Sequence, residues 1–216
     1  DEFNPLTLAG AATLVLTLVV WVRKGLLGDV APFLVRSPRL SRRLSLALCA
    51  SCFVYMDLMS SLVHVVLDHA PPWLPGIGGV ARGFQYHHFD PTAICRVSWY
   101  TYASHVHMLA PMISMLAHAF GASRVLRVFW FWGAIYAHLF QTTHRWTHFP
   151  QESLPWMVRV GQRAGLLLSH EHHMRHHQDL QHQFSILVGN TDPLFDAAAE
   201  LRAGAGAAPG EGRAGR

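Results

Sequence analysis

The sequence predicts an all-α membrane protein with several transmembrane helices, and three observations support this fold class. Apolar residues make up 51% of the 216 residues and charged residues only 14%, whereas an ordinary soluble domain is about 25% charged. Uncharged stretches long enough to cross a bilayer recur along the chain. Sixteen residues are histidine, and none of them precedes His64. So many reactive side chains in one part of a membrane protein predict metal binding or catalysis.

About four transmembrane helices are expected. Residues 3–22 carry no charge, and twenty residues at about 1.5 Å each cross a bilayer core of about 30 Å. Residues 44–67 form the second span, which contains Asp57 and His64 in its later half. Because polar groups are costly in lipid, both should face the protein interior. The third and fourth spans lie between Arg96 and Arg124 and between Arg127 and Arg145.

The remaining segments complete one domain, residues 1–200. Residues 154–168 mix apolar and basic side chains, a pattern typical of a helix lying on the membrane surface. The Pro- and Gly-rich loop 70–79 separates two halves of this domain. Residues 201–216 include AGAGAAPGEGRAGR, which has too few large apolar groups to offset its ordering entropy and predicts a disordered tail. The cysteines, Cys49, Cys52 and Cys95, are expected to be reduced core residues.

Histidines recur at the spacing that places two side chains on one helix face. His144 and His148 are four residues apart, and the HHxxHH block at 172–177 repeats this spacing twice. His64 and Asp68 repeat it with a carboxylate. An even number of crossings separates the ends of the second and fourth spans, so these side chains should gather at one membrane face. His105, His107, His118 and His138 lie within the later spans, where we expect hydrogen-bonded histidines without a catalytic role.

Such a cluster exceeds the three or four ligands that one zinc ion takes. Imidazole also suits iron, and two irons with open positions can activate dioxygen. A solvated, metal-scavenging loop would explain the HHxxHH block alone, but not separate histidine pairs at several span ends. The fold class is therefore an all-α, multi-pass membrane protein with a histidine-rich di-metal site at one membrane face.

Four motifs resemble the lipid desaturase family of the Kua type, whose named member is plasmanylethanolamine desaturase. They are VHVVLD at 63–68, FQYHHFDPTAI at 84–94, THRWTH at 143–148 and HEHHMRHH at 170–177, which is followed by FSILVGN. The resemblance implies four spans, two Fe ions, O2 as co-substrate and electrons from cytochrome b5 or a ferredoxin-like donor. It implies formation of the vinyl ether double bond of plasmalogens from an ether phospholipid.

The resemblance also implies roles for individual residues. Asp57, Asp68, Asp90 and Asn190 correspond to catalytic positions that support and orient the ligands. Four arginines near the same membrane face are candidate partners for a lipid phosphate: Arg82, Arg96, Arg145 and Arg175. The iron ligands would be His64, His87, His88, His144, His148, His172, His173, His176 and His177.

Alternatives to a plasmanylethanolamine desaturase stay open. A plastid relative in the family forms a trans double bond in the acyl chain of phosphatidylglycerol, although the DPTAI stretch favours the ether-lipid branch. A di-iron lipid hydroxylase would share the ligands. A zinc hydrolase is disfavoured because no HExxH motif is present, and a non-enzymatic metal carrier because the cluster is confined to one face.

Charge and location give further expectations. The formal charge of +4 arises from basic residues spread along the chain, which argues against nucleic-acid binding. The positive-inside rule places the cluster away from the cytosol, whereas the family resemblance places it in the cytosol. The resemblance favours the endoplasmic reticulum membrane, with a plastid membrane as the alternative.

Overall fold

The computed structural model describes residues 5–23 and 40–206, and within these ranges the chain is helical and contains no strand. The predicted all-α class is therefore confirmed. The helices are α1 (Pro5–Arg23), α2 (Arg42–His69), α3 (Gly78–Phe89), α4 (Ala93–Arg96), α5 (Trp99–Tyr102), α6 (Ser104–Ala119), α7 (Arg124–Thr147), α8 (Trp156–Arg163), α9 (His170–Gln178) and α10 (Asp192–Gly206), with a 3₁₀ turn at Gln151–Ser153.

Helix α2 is the long helix that carries the first histidine motif. The Ser41 side chain caps its start by accepting a hydrogen bond from the Leu44 backbone N–H at 3.2 Å. Two prolines follow its end at Ala70 and prevent the helix from continuing. One buried stripe runs along the helix at three- and four-residue spacing: Cys52, Met56, Ser60, His64 and Leu67.

In the part of the chain that the structure describes, only α2 is long and apolar enough to cross a membrane. Helix α1 coincides with the predicted first span, and α7 with the fourth. The predicted third span is divided, because α5 ends at Tyr102 and α6 begins at Ser104 and continues for 16 residues. The multi-pass arrangement therefore remains a prediction.

The long helices pack side by side in the order α1, α6, α7, α2. Trp21 joins α1 to its neighbours, since its Nε1 donates to Ser114 Oγ at 3.0 Å and its ring lies 4.2 Å from that of Phe131. Cys52 of α2 donates to the Phe129 carbonyl of α7 at 3.3 Å. A second cluster extends this core to the C-terminal segment: Met56, Phe140, Leu168, Ile186 and Leu187.

The C-terminal segment covers the ends of α2 and α7. Helix α8 buries Val158 and exposes Trp156 and Met157, so it has the amphipathic character expected of residues 154–168. Helix α10 continues to Gly206, so residues 201–206 of the predicted disordered tail are helical, and residues 207–216 lie outside the described ranges. The three cysteines are free; Cys52 is buried as expected of a core residue, whereas Cys49 and Cys95 are half-buried.

Candidate metal centre

Four helix ends bring the histidine motifs together. His64 and Asp68 lie near the end of α2, and α3 contributes His87 and His88 from its last turn. His144 lies in the last turn of α7, and His148 follows that helix directly. Helix α9 contributes His173, His176 and His177.

One group of four buried histidines, His87, His144, His148 and His173, places its ring nitrogens within 4.8 Å of one another. The Nε2 atoms of His87 and His144 are 3.3 Å apart, and those of His148 and His173 are 3.0 Å apart. Two nitrogens that each lie about 2.1 Å from one ion are roughly 3.0 to 3.4 Å apart in octahedral or tetrahedral geometry. These spacings fit ligands that share a metal ion.

A second group is built around a carboxylate. Asp68 Oδ2 lies 3.3 Å from His64 Nε2 and 3.2 Å from His176 Nε2, while its Oδ1 lies 3.0 Å from His88 Nε2. These four residues could hold a metal ion within one 4.8 Å set of ligand atoms. A third set, His87, His88 and His177, shares one histidine with each of the other two. The groups are therefore adjacent and overlapping.

Backbone carbonyls orient several of these rings. His64 Nδ1 donates to the Phe184 carbonyl and His176 Nδ1 to the His182 carbonyl, each at 2.8 Å. His87 Nδ1 donates to the Phe84 carbonyl. Because a carbonyl only accepts, the proton lies on Nδ1 and the Nε2 lone pair is free to bind a metal.

The tyrosine hydroxyl of Tyr102 lies 2.8 Å from His144 Nδ1 and orients that ring in the same way. Spacing along the sequence does not predict this contact, because the two residues are 42 positions apart. The FDPTAI and THRWTH motifs flank Tyr102 without including it. Its partner role becomes visible only when α5 packs beside α7.

The electrostatics of the cluster keep its imidazoles neutral. Burial, reinforced by neighbouring histidines, lowers the pKa of His148 and of His177 to about 2 each. The same causes hold the pKa of His87 and His173 well below the usual value. A metal binds neutral imidazole, so these residues are in the required protonation state at neutral pH.

The residues therefore fit a metal centre. His64 Nε2 is buried within the second group and has no partner with hydrogen-bond geometry, although it lies 3.3 Å from Asp68 Oδ2. Buried polar atoms normally find a partner because an unsatisfied one is costly. A metal ion bound among these nitrogens and the Asp68 carboxylate would satisfy them together.

His172, the remaining histidine of the expected ligand set, lies outside all three groups. Its Nε2 pairs with Asp192 Oδ2 at 2.7 Å. Gly189 allows this close approach: its φ of +97° suits glycine, and an added Cβ would lie 2.9 Å from the His172 ring. The structure thus gives His172 a contact with the 185–191 loop.

The four positions expected to support the ligands have different surroundings. Asp68 lies among the ligand atoms themselves. Asp90 is bonded to Arg96 and Thr92 at the surface, and Asn190 is exposed. Asp57 is buried and contacts no histidine of the cluster in the described structure.

Asp57 instead holds the loop that follows α9. Its Oδ1 accepts from the Ser185 hydroxyl at 2.7 Å and the Val188 N–H at 3.0 Å, and its Oδ2 accepts from the Thr191 N–H and hydroxyl, both at 3.0 Å. The same loop supplies the Phe184 carbonyl that orients His64. Asp57 is therefore linked to the His64 ring through this loop.

The arginines and the histidines of the later spans also have defined contacts. Arg96 pairs with Asp90, Arg145 donates to the carbonyl of Ile94 at 3.1 Å, and Arg82 donates to that of Pro72 at 3.5 Å. His107 Nδ1 and His138 Nε2 are 3.1 Å apart, and His118 Nδ1 donates to the Ser114 carbonyl at 3.0 Å. His105, His107, His118 and His138 belong to none of the three groups.

The fold and site define a helical protein with a buried cluster of histidines that could hold metal ions. The family model for the lipid desaturase domain matches residues 53–203, and the chain therefore belongs to the lipid desaturase domain family. This confirms the resemblance seen in the sequence motifs.

Two curated proteins of Arabidopsis thaliana are similar to this chain. Fatty acid desaturase 4, chloroplastic, is 27% identical over 185 residues, which cover 83% of this chain and 54% of that protein. Fatty acid desaturase 4-like 1, chloroplastic, is 25% identical over 166 residues, covering 75% and 53%. The chain spans about half the length of these relatives. No solved structure matches it.

Proposed function

We propose that this chain is an oxygen-dependent desaturase of membrane lipid chains that uses two iron ions. The observation that carries the proposal is the pair of buried ligand groups joined through His87 and His88. One group offers four imidazoles, and the other offers three imidazoles and the Asp68 carboxylate. Membership of the lipid desaturase family supports the reaction type.

The donor set favours iron over structural zinc. Imidazole with a single carboxylate suits iron, whereas structural zinc sites are closed, four-coordinate and often contain cysteine. Cys95, the free cysteine that follows the FDPTAI motif, donates to the His148 carbonyl at 3.3 Å and takes no part in the three groups. Bound iron would supply the activation of dioxygen and the removal of two hydrogens from adjacent chain carbons.

The protein's own residues position and insulate this chemistry. The carbonyls of Phe84, Phe184 and His182 hold three rings with Nε2 directed into the cluster. Asp68 contacts three histidines and would provide negative charge to bound metal ions. Burial of most of the histidines limits the contact of bulk water with the reacting atoms. Electrons would come from an external donor, either cytochrome b5 or a ferredoxin-like protein.

For the substrate, we propose the fatty acyl chain of a membrane phospholipid, with phosphatidylglycerol as the first candidate. The names of both relatives, which are fatty acid desaturases, support an acyl chain. The second candidate is the alkyl chain of an ether phospholipid, which the FDPTAI motif at 89–94 favours. A related lipid hydroxylase would use the same ligands and differ in its product.

Location follows the substrate proposal. Both relatives are chloroplastic by name, which supports a plastid membrane, while the endoplasmic reticulum has no support from them. Helix α2 has the length and composition of a span, and Leu62, Val63 and Val66 on it are exposed apolar residues suited to lipid. We propose a multi-pass arrangement in which α1, α6 and α7 accompany α2.

The test is the lipid profile of a host that lacks this enzyme, with and without the chain and its electron donor. A new double bond in phosphatidylglycerol acyl chains supports the first substrate, and new vinyl ether lipid supports the second. Hydroxylated chains would point to the hydroxylase. An unchanged profile with intact, iron-loaded protein would contradict the desaturase proposal, and His144→Ala is the inactive control.

A further inference from the structure

A cavity of about 180 Å³ leads into the metal centre between α3, α5 and α7. His87 and His144, both buried ligand candidates, form its inner end together with Phe84. Gly79 and Gly83 line its outer part and are exposed. The cavity therefore connects the protein surface with the atoms expected to bind metal.

One face of α3 forms the floor of this cavity. Gly79, Gly83 and His87 are each four residues apart, so they lie in a line along the helix. Eight residues of helix give this line a length of about 12 Å. Val80 and Phe84 stand beside it and add apolar walls. The result is a shallow groove that ends at a candidate metal ligand.

The two glycines have no other structural reason to be glycine. Neither has a positive φ, and an added Cβ at either position would meet no atom within 4 Å. Glycine inside a helix costs roughly 0.5 to 1 kcal/mol relative to alanine. The absence of side chains at Gly79 and Gly83 leaves open space along the face of α3 that leads to His87.

We propose that this groove binds the hydrocarbon chain of the lipid substrate, with the carbons to be desaturated beside His87 and His144. The inference rests on the proposed desaturase function and adds the place where the substrate lies. Val80, Phe84 and Ile94 give the cavity apolar walls that accept methylene groups, and Thr101 and His105 are polar residues that also line it. The groove of about 12 Å compares with about 15 Å for one leaflet of a bilayer core.

Tyr102 connects the groove with the metal centre. Its side chain lines the cavity, and its hydroxyl lies 2.8 Å from His144 Nδ1. Tyr102 would therefore contact the lipid hydrocarbon chain and also hold the His144 imidazole in position. A hydrocarbon chain placed against Tyr102 would lie beside His144 without any movement of α7.

The variant that tests the groove is Gly83→Leu, with Gly204→Leu as the matched control. Both positions are helical glycines with open space around a new Cβ, but Gly204 lies in α10, away from the cavity. Filling a substrate pocket with added methylene groups costs about 10- to 200-fold in efficiency. We expect at least about a tenfold loss in Gly83→Leu, a smaller loss in Gly79→Leu, and unchanged activity in the control.

A second measurement does not depend on turnover, and its wild-type sample does not depend on the folding of any variant. The wild-type protein is placed in vesicles with phosphatidylglycerol carrying a photoactivatable diazirine in mid-acyl chain, and the cross-linked residues are mapped by mass spectrometry. We expect labels on residues 79–87 and 99–105. Gly83→Leu should lose these labels while keeping its metal content.

The outcomes separate the groove from the function. If the groove is labelled but the protein desaturates no lipid, lipid binding in the groove is supported and the proposed function is overturned. An active wild type whose labels lie elsewhere, as at Phe195 and Ala198 beside a different cavity, would overturn the groove. Equal activity of Gly83→Leu and Gly204→Leu would overturn it as well, and would leave the cavity as a passage for small molecules.

Discussion

Tyr102 and His144 are joined by a contact of 2.8 Å between the phenol oxygen and Nδ1 of the imidazole. When His144 binds metal through Nε2, its proton lies on Nδ1 and is donated to the tyrosine oxygen. The contact therefore sets both the tautomer and the orientation of a ligand that belongs to the all-histidine group.

Replacing Tyr102 with phenylalanine removes this partner and leaves the ring in place. We expect Tyr102→Phe to bind metal about 10- to 100-fold more weakly, as is typical when the partner of a ligating histidine is lost. Metal affinity measured by competition with a chelator checks this. Tyr86→Phe is the control, because Tyr86 is exposed on the neighbouring helix; equal affinities for the two variants would contradict a positioning role for Tyr102.

The sequence motifs imply that both His172 and His176 bind metal, whereas the structure places only His176 among the candidate ligands. His176 Nε2 lies 3.2 Å from Asp68 Oδ2, whereas His172 pairs with Asp192. We expect His176→Ala to lose metal and activity and His172→Ala to retain the full metal content. Metal per chain after purification measures the difference. Loss of metal in both variants would restore His172 to the ligand set.

Asp68 is expected to act as a ligand and not only as a support for ligands. Asp68→Asn keeps the size of the side chain but removes its negative charge, so we expect loss of metal from the second group while the all-histidine group keeps its own. The metal content should fall by about half, because two adjacent ions are expected from the three overlapping sets. An unchanged content would show that Asp68 only orients the histidines.

Asp57 is expected to stabilise the fold without binding metal. Its carboxylate accepts hydrogen bonds from Ser185, Val188 and Thr191 while buried. Asp57→Ala leaves these donors unsatisfied and should cost about 3 kcal/mol or more of unfolding free energy. Denaturant unfolding in detergent measures the cost, with Asp90→Ala as the control that costs less, because the contacts of Asp90 with Arg96 and Thr92 lie at the surface. If the Asp57 variant is as stable as wild type, the loop does not depend on this residue.

Gly189 tests the close approach of the same loop to His172. A side chain there meets both a φ of +97° and a ring 2.9 Å from its Cβ. We expect Gly189→Ala to lower stability by about 1 to 3 kcal/mol. The helical, open Gly204 offers the opposite case, since Gly204→Ala should stabilise by roughly 0.5 to 1 kcal/mol. Thermal unfolding of the two variants measures these opposite effects. Stabilisation by both substitutions would contradict the requirement for glycine at position 189.

Much of the site follows from spacing along helices. His144 and His148, four residues apart, share one group, and the Nε2 atoms of His173 and His177, also four residues apart, lie 3.2 Å from each other. The same rule paired His172 with His176, but the face of α9 that carries His173, His176 and His177 leaves His172 roughly 90° to one side at 100° per residue. Spacing alone could not show which face of a short helix turns inward.

Contacts between segments that are distant along the chain could not be predicted from a single sequence. Tyr102 reaches His144, and the Phe184 carbonyl reaches His64, only because separate elements pack together. Composition indicated long apolar stretches but did not show that the third one is divided near Ala103, where the backbone leaves the helical region between α5 and α6. The division places Tyr102 beside α7, so the break in the predicted span contributes to the site.

The most direct test of the central claim is the metal content of the purified, detergent-solubilised chain. Iron and zinc per folded chain are determined by elemental analysis, for wild type and for His173→Ala. We predict close to two irons per chain, with nitrogen-rich coordination by X-ray absorption, and a clear loss of iron in the variant. Zinc in place of iron, or a single ion bound equally well by both proteins, would contradict it.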